Sequence, residues 1–258
     1  MNRPHYPILF CGAGPGDPEL ITVKGQKALS VADLILYAGS LVPEAVLVWA
    51  AGTAERISSA DMNLQEIVET MVKAYQDGLR VVRLHTGDPS LYGAIREQMD
   101  ELDASGIPFR MIPGVTAAFA AAAAMGIEYT LPERTQTLIL TRMAGRTPVP
   151  DRESLASLAA HGASLVIYLS MGLLDQVAQV LSASYGPQAP CAVAYRVSHP
   201  GQRILRMHVA DLAATARAEE IDRLAVVMVG PALDDPRAEE ALRSKLYDKD
   251  FSHGYRPA

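Results

Sequence analysis

The sequence predicts an α/β protein of two domains, each with a mostly parallel or mixed β-sheet. Short apolar runs of strand length alternate with amphipathic segments of helical length, an order that is typical of parallel sheets. Three of the early strands run directly into loops that contain glycine and proline. The pattern restarts after Leu131-Pro132-Glu133, which predicts domains at residues 1–131 and 132–236 and a charged tail at 237–258.

The first domain is predicted to alternate strands with helices along its whole length. The helix at 64–75 has the clearest pattern, because its apolar residues share one face and Gly78 ends it. Another helix is expected to begin at Pro89, and the alanine-rich run at 117–124 predicts a helix with closely packed neighbours. The predicted strands are 7–11, 34–37, 46–49, 80–85 and 109–112, and the first helix is 22–31.

The second domain repeats the alternation with shorter helices. Polar and proline-bearing loops separate its apolar runs, so each run is expected to be one strand. The predicted strands are 137–140, 165–169, 192–195, 203–209 and 224–229, with helices at 154–160 and up to Leu181.

The loop after the first strand, Gly12-Ala13-Gly14-Pro15-Gly16-Asp17-Pro18, predicts a ligand site. Glycines let the backbone approach a ligand closely, and the N–H groups of such a loop are available donors. The dinucleotide fingerprint G-x-G-x-x-G is absent, because Pro15 interrupts the glycines and Asp17-Pro18 predicts a short capped helix. Ligands bind beyond the carboxyl ends of parallel strands, so the loops at 86–93 and 113–118 are expected to gather beside it.

Composition limits the classes of partner. The net charge of −6 argues against nucleic acid, whereas an anionic small molecule needs only a few arginines. No apolar run has the length of a membrane span and no hydrophobic signal segment begins the chain, so we expect no membrane partner and a cytoplasmic location. Cys11 and Cys191 stand alone in apolar strands and are expected to be reduced core residues.

Four loop motifs carry a family resemblance: residues 12–18, Thr86-Gly87-Asp88-Pro89, Pro113-Gly114-Val115-Thr116-Ala117 and Ser170-Met171-Gly172. In this order and spacing, over about residues 7–231, the sequence resembles the tetrapyrrole methylases of corrin and sirohaem synthesis. The resemblance implies two α/β domains with the active site in the cleft between them. It also implies S-adenosylmethionine as co-substrate and a homodimer.

The resemblance assigns candidate site residues by their match to the family's motifs. Contacts with S-adenosylmethionine fall on Pro15, Thr86, Gly87, Asp88, Leu91, Thr116, Ala117, Met171, Ala194, Tyr195, Val197 and Ala225. Because the tetrapyrrole is a flat polycarboxylate, arginine clamps and aromatic faces are expected to bind it. These candidates are Tyr37, Ser40, Tyr92, Arg134, Arg142, Arg146, Arg196 and His199.

The segment after the second strand bears on the substrate. Family members that methylate uroporphyrinogen carry an acidic residue after the strand's tyrosine, whereas Ala38-Gly39 follows Tyr37 here. With residues 85–98 and 128–133, this segment resembles the branch that methylates precorrin-4 at C-11, with cobalt-precorrin-4 or another tetrapyrrole as the alternative substrate. Methyl transfer needs in-line placement of carbon, methyl and sulfur, so we expect no catalytic side chain and no bound metal.

Other functions stay open at this point. An RNA methylase of the superfamily should be basic, and a protein-modifying member such as diphthine synthase should not retain a tetrapyrrole. A nicotinamide oxidoreductase would be stabilised by NAD. A non-catalytic tetrapyrrole- or nucleotide-binding module would bind ligand without methyl transfer, which a labelled-methyl assay distinguishes.

Overall fold

Two sheets organise the chain, one in each of two units. The computed structural model describes residues 5–39, 41–234, 244 and 251–252. The first unit extends to Ala120 and includes Val197–Gly201, whereas the second contains Ala121–Arg196 and resumes at Gln202. The predicted α/β class, with one parallel and one mixed sheet, is confirmed.

The first unit ends at Ala120, whereas the sequence predicted a boundary at Leu131. The residues between these points already bond within the second unit. Arg206 donates to the carbonyl of Met125 over 3.3 Å, and Ser164 donates to the carbonyl of Tyr129 over 2.7 Å. The predicted tail at 237–258 lies outside the described residues apart from 244 and 251–252.

Five parallel strands form the first sheet. They are β1 (Ile8–Gly12), β2 (Leu34–Tyr37), β3 (Glu55–Ser58), β4 (Val81–His85) and β5 (Phe109–Ile112). Their order across the sheet is β3-β2-β4-β1-β5. Because every pairing is parallel, all five carboxyl ends lie at one edge. The central strands β1 and β4 are almost entirely buried, as strands covered on both faces should be.

Helices cover both faces of this sheet. The helix α1 (Val23–Ser30) contributes Leu29 to the apolar cluster on one face. The helices α2 (Leu64–Gln76) and α3 (Arg96–Ala104) pack on the other. A reciprocal cap starts α2, since Asn63 accepts from the Glu66 amide while the Glu66 carboxylate accepts from the Asn63 amide. The helix α4 (Ala117–Met125) follows β5.

The prediction of a strand at residues 46–49 is wrong. Glu44–Trp49 forms a 3-10 helix after Pro43, in which Val46 and Leu47 are buried while Val48 is 67% exposed. The third strand is instead β3, a mostly exposed edge strand of polar sequence. An edge strand that buries little carries no apolar pattern, so the neighbouring apolar run was the stronger signal.

The helix expected from Pro89 begins only at Arg96. Tyr92 and Ala94 adopt left-handed conformations with φ of 55° and 47°, which interrupts any helix before them. Gly93 packs so closely on the carbonyl of Pro89 that a β-carbon there would overlap it. Residues 89–95 are therefore a compact loop.

The second sheet is mixed. Its strands are β6 (Leu138–Arg142), β7 (Ser164–Tyr168), β8 (Pro190–Tyr195), β9 (Arg203–His208) and β10 (Ala225–Val229), in the order β6-β7-β10-β8-β9. Only the β6–β7 pair is parallel. The helices are α5 (Leu155–Ala159), α6 (Leu174–Tyr185) and α7 (Leu212–Ala218). The sequence did not predict α7, whose seven residues span too few turns to show a helical period.

Both cysteines are buried and unpaired, as predicted. Burial raises the pKa of the Cys11 thiol to about 12, and burial with a smaller contribution from Asp211 does the same at Cys191. Within the described part of the chain, no helix has the length and apolar character to cross a bilayer.

Candidate active site

Three loops of the first unit meet where the adjacent strands β4, β1 and β5 end. Gly14 and Gly87 exchange backbone hydrogen bonds of 3.3 and 2.8 Å, which join the loops after β1 and β4. The Gly114 amide donates to the Asp88 carboxylate over 2.8 Å, which brings in the loop after β5. These contacts confirm that the three glycine-bearing loops gather at one edge of the sheet.

The three loops, which carry Gly12, Gly87 and Gly114, approach each other this closely because Gly12 and Gly114 lack side chains. A β-carbon on Gly12 would lie 2.5 Å from the carbonyl oxygen of Gly87 and 2.7 Å from Cα of Gly114. A β-carbon on Gly114 would overlap that same carbonyl oxygen. Gly87 also has φ of +60°, which favours glycine. We call these three residues the glycine cluster.

The carboxylate of Asp88 holds the loop after β4 in place. One oxygen accepts from the Ser90 amide over 2.8 Å and from the Ser90 hydroxyl, and the other accepts from the Gly114 amide. Burial disfavours the charged carboxylate, but these hydrogen bonds outweigh it and lower the pKa of Asp88 below its ordinary value of 3.8. The carboxylate is therefore committed to the protein's own backbone.

Replacing Asp88 with asparagine is expected to lower the free energy of unfolding by about 1–2 kcal/mol at pH 7, since charge-assisted hydrogen bonds are lost. Because the pKa of Asp88 is lower in the folded than in the unfolded protein, its carboxylate stabilises the fold at pH values above the unfolded-state pKa. This contribution is lost as the pH falls through the folded-state pKa. The difference between wild type and Asp88→Asn should thus shrink below about pH 4. Urea unfolding at several pH values measures this difference in the free energy of unfolding. The control is Asp103→Asn, at an exposed position of α3. A difference that does not change with pH, or an equal loss of stability in the control, would contradict the structural role of Asp88.

The other residues of the first unit that are predicted to contact S-adenosylmethionine lie on the same loops. Pro15 is buried after β1, and Leu91 lies in the compact loop after β4. Thr116 is buried immediately before α4, where its carbonyl accepts from the Phe119 amide, and Ala117 is the first residue of α4. Thr86, Gly87 and Asp88 directly follow β4.

The segment Val197–Gly201 belongs to the first unit and lies on the loop after β1. Ser198 Oγ accepts from the Asp17 amide over 2.9 Å. The His199 imidazole packs on Gly16, where a β-carbon would lie 2.5 Å from its Nε2. The structure therefore places His199, predicted to bind substrate, and Val197, predicted to bind the donor, beside the first glycine loop.

In the second unit, four residues that are predicted to contact S-adenosylmethionine share one edge of the mixed sheet. Tyr195 pairs with Ala225, and Ala194 pairs with Val226, where β8 ends and β10 begins. Met171 is buried in the short 3-10 helix that follows β7. The guanidinium of Arg203 lies 5.0 Å from the centre of the Tyr195 ring and covers one of its faces.

Two of the predicted arginine clamps already have protein partners. Arg142 donates to the carbonyls of Thr147 and Pro148 over 3.1 and 2.7 Å, which ties down the loop after β6. Arg134 forms an ion pair with Asp234. Each guanidinium is thus used in holding its own unit together, and substrate binding by either residue stays a prediction.

Arg196 differs from these two arginines. Its Nε is buried and has no hydrogen-bond partner among the described residues, and its backbone is left-handed, with φ of 45°. Leu169 and Leu224 at the same sheet edge have φ of 52° and 52°. Strained backbone of this kind clusters at functional sites, so this edge is the strongest candidate site in the second unit. Arg146 is exposed in the loop after β6.

The remaining candidate substrate residues belong to the first unit. Tyr37 is half-buried at the end of β2, and Tyr92 is 42% exposed in the loop after β4. Ser40 lies outside the described residues.

Sequence reasoning missed two buried polar residues of β4, Arg83 and His85, which are each 4% exposed. Burial and then the charge of Arg83 lower the pKa of His85 to about 3, so its imidazole is neutral at physiological pH. Its Nε2 is buried, and no hydrogen-bond partner for it lies in the part of the chain that the structure describes. The sequence did contain a signal for Arg83, because a charged residue is unusual within a run that predicts a buried central strand.

Residues 7–213 match the family described as Tetrapyrrole (Corrin/Porphyrin) Methylases. The chain is a tetrapyrrole methylase. The methylase is 48% identical over 250 residues to the cobalt-precorrin-4 C(11)-methyltransferase of Methanocaldococcus jannaschii, across 96% of this chain and 95% of the relative. It is 46% identical over 250 residues to the precorrin-4 C(11)-methyltransferase of Pseudomonas aeruginosa, across 97% and 98% of the two chains.

Solved structures of other methyltransferases support this family assignment. An X-ray structure of a cobalamin-biosynthetic cobalt precorrin-4 methyltransferase superposes with a TM-score of 0.86 at 44% identity, covering 88% of this chain and 96% of that one. A uroporphyrin-III C-methyltransferase from Thermus thermophilus, in complex with S-adenosylhomocysteine, gives a TM-score of 0.71 at 26% identity, with 93% and 99% covered.

Proposed function

We propose that this methylase transfers a methyl group from S-adenosylmethionine to C-11 of precorrin-4 or of cobalt-precorrin-4. The observation that carries the proposal is the near-full-length similarity to enzymes named for this reaction, with identities of 48% and 46%. The proposal includes both substrates, because one of these relatives is named for cobalt-precorrin-4 and the other for precorrin-4.

The residues of the chain fit S-adenosylmethionine in the first unit. The glycine cluster keeps the strand ends free of side chains, so the backbone groups of Thr86 and Ala117 are the proposed contacts for the donor's polar ends. The amide and the carbonyl of Gly87 are already bonded to Gly14. The donor supplies a methyl group on a sulfonium with a neutral leaving group. What the protein contributes is binding, orientation and exclusion of water, and such placement lowers a barrier by roughly 7–11 kcal/mol.

No catalytic acid or base is proposed. The two ionisable groups next to the loop after β4 are unsuited to that role. The Asp88 carboxylate is occupied by Gly114 and Ser90, and the pKa of His85 is lowered to about 3 by burial. The absence of an acidic residue after Tyr37 is consistent with a substrate other than uroporphyrinogen.

The deciding experiment is a labelled methyl transfer. The protein is incubated with methyl-¹³C S-adenosylmethionine and either precorrin-4 or cobalt-precorrin-4, and NMR locates the new carbon. Label at C-11 is expected. Label at another ring position would contradict the proposal, and binding of both ligands without transfer would indicate the non-catalytic alternative.

We also propose a metal-independent reaction. The described residues include no group of three His, Cys, Asp or Glu side chains suited to a metal ion. Dialysis against EDTA is expected to leave the rate of methyl transfer unchanged. Loss of activity that zinc or magnesium restores would contradict this expectation.

The remaining proposals concern assembly and location. A homodimer in the cytoplasm, with no nucleic-acid or membrane partner, is consistent with the family and with the net charge of −6. Light scattering coupled to gel filtration measures the assembly, and cell fractionation measures the location. A monomer, or protein in the membrane fraction, would contradict them.

A further inference from the structure

A buried guanidinium lies between the elements that lead into two loops of the first unit. Arg83, in the middle of β4, is 4% exposed. Its hydrogen bonds among the described residues go to neutral groups: Nε donates to Gln98 Oε1 over 3.1 Å, and Nη1 donates to Ser59 Oγ over 2.9 Å and to the carbonyl of Leu36 over 3.3 Å. Burial lowers the pKa of Arg83 to about 10, so the side chain stays charged at neutral pH.

One set of these bonds reaches the carboxyl end of β2. Ser59, which accepts from Arg83, donates from its hydroxyl to the carbonyl of Tyr37 over 3.2 Å and from its amide to the same oxygen over 2.9 Å. The Leu36 carbonyl is bonded to Arg83 directly. The last two residues of β2, Leu36 and Tyr37, are thus held through Arg83 and Ser59.

The other bond reaches the loop after β4. Gln98, which accepts from Arg83, donates from its amide nitrogen to the carbonyl of Ala94 over 2.9 Å. Ala94 has the left-handed φ of 47° and Tyr92 has 55°. Such conformations persist only where surrounding contacts enforce them. The Gln98 side chain, oriented by Arg83, is one of those contacts.

We propose that Arg83 is a positioning residue that fixes the end of β2 and the loop after β4, and with them Tyr37 and Tyr92, for binding of the tetrapyrrole. A buried charge without an opposite charge is less stable than an apolar residue of similar volume, so packing alone does not account for arginine here. A planar guanidinium bonds in several fixed directions at once, which suits a residue that holds a strand end and a separate loop. The inference rests on the proposed function, because the tetrapyrrole is its ligand.

The test compares substrate and donor affinity in Arg83→Met, which keeps the length of the side chain and removes its donors. The tetrapyrrole KM is expected to rise about tenfold, the effect of one hydrogen bond to a charged group. The Kd for S-adenosylhomocysteine, from calorimetry, should stay within about twofold because the glycine cluster is untouched. Arg83→Lys should recover part of the tetrapyrrole affinity. A merely structural arginine would change both constants together or neither.

Smaller substitutions keep the inference testable if Arg83→Met does not fold. Ser59→Ala cuts the link to the end of β2 and Gln98→Met cuts the link to the loop after β4, so each should raise the tetrapyrrole KM about threefold. Arg56→Met on exposed β3 and Ser30→Ala on α1 are matched controls expected to leave it unchanged. Unchanged KM in the folded Arg83 variant, or in both single-link variants, overturns the inference. Wild-type protein that transfers no methyl group to either substrate overturns the proposed function, and this inference with it.

Discussion

Gly114→Ala is expected to abolish binding of S-adenosylhomocysteine and to lower the free energy of unfolding by about 3 kcal/mol. The new β-carbon would overlap the Gly87 carbonyl oxygen and lie 2.9 Å from Cα of Gly12. Both are backbone atoms, so no side-chain rotation relieves the clash. The ends of β1, β4 and β5 must separate, which breaks the bond between the Gly114 amide and Asp88.

Gly52→Ala is the matched control for this variant. A β-carbon on Gly52 meets nothing within 4 Å, and its backbone does not require glycine. Thermal unfolding and calorimetric titration of both variants are the measurements. Gly114→Ala protein with the melting temperature and donor affinity of wild type would show that the glycine cluster is not required.

Arg196→Met is expected to raise the tetrapyrrole KM about 10- to 100-fold, which corresponds to losing one charge-assisted hydrogen bond to a substrate carboxylate. Nε of Arg196 is buried and bonds to none of the described residues, and the backbone there is left-handed. The guanidinium of Arg142, in contrast, is occupied by carbonyl groups of its own loop. The Kd for S-adenosylhomocysteine should change far less.

Steady-state kinetics with precorrin-4 and with cobalt-precorrin-4 measure the effect of Arg196→Met. The control is Arg217→Met, which removes an exposed cation of the same unit from its ion pair with Asp175. Equal changes in the tetrapyrrole KM and the donor Kd would contradict substrate binding by Arg196, as would an Arg217→Met effect of the same size.

The fold was predictable from sequence wherever burial was strong. The central strands and α2 were found because their apolar residues follow the geometry of a covered strand and of an amphipathic helix. The edge strand β3 was missed, because an exposed strand leaves no apolar period. The loop at 89–95 was taken for helix, because left-handed φ values at Tyr92 and Ala94 have no signature in residue type.

The candidate site was predictable where residue type alone restricts the backbone. Glycine and proline loops after parallel strands indicated where three strand ends would meet, and the contacts of Gly87 and Gly114 agree. The arginines were harder to predict, since the sequence does not say whether a guanidinium bonds to its own loop, as at Arg142. Nε of Arg196, in contrast, finds no partner within residues 5–39 and 41–234 or the other described positions. Arg83 was overlooked because a strand pattern predicts burial and says nothing of the bonds a buried charge makes.

The membership of Val197–Gly201 in the first unit has a practical consequence for dissecting this enzyme. A truncated polypeptide that stops at Ala120 would lack the Ser198 hydroxyl bonded to Asp17 and the imidazole packed on Gly16. The first glycine loop would then be left exposed in the fragment. Separate expression of the halves is therefore a poor route to a fragment that binds S-adenosylmethionine.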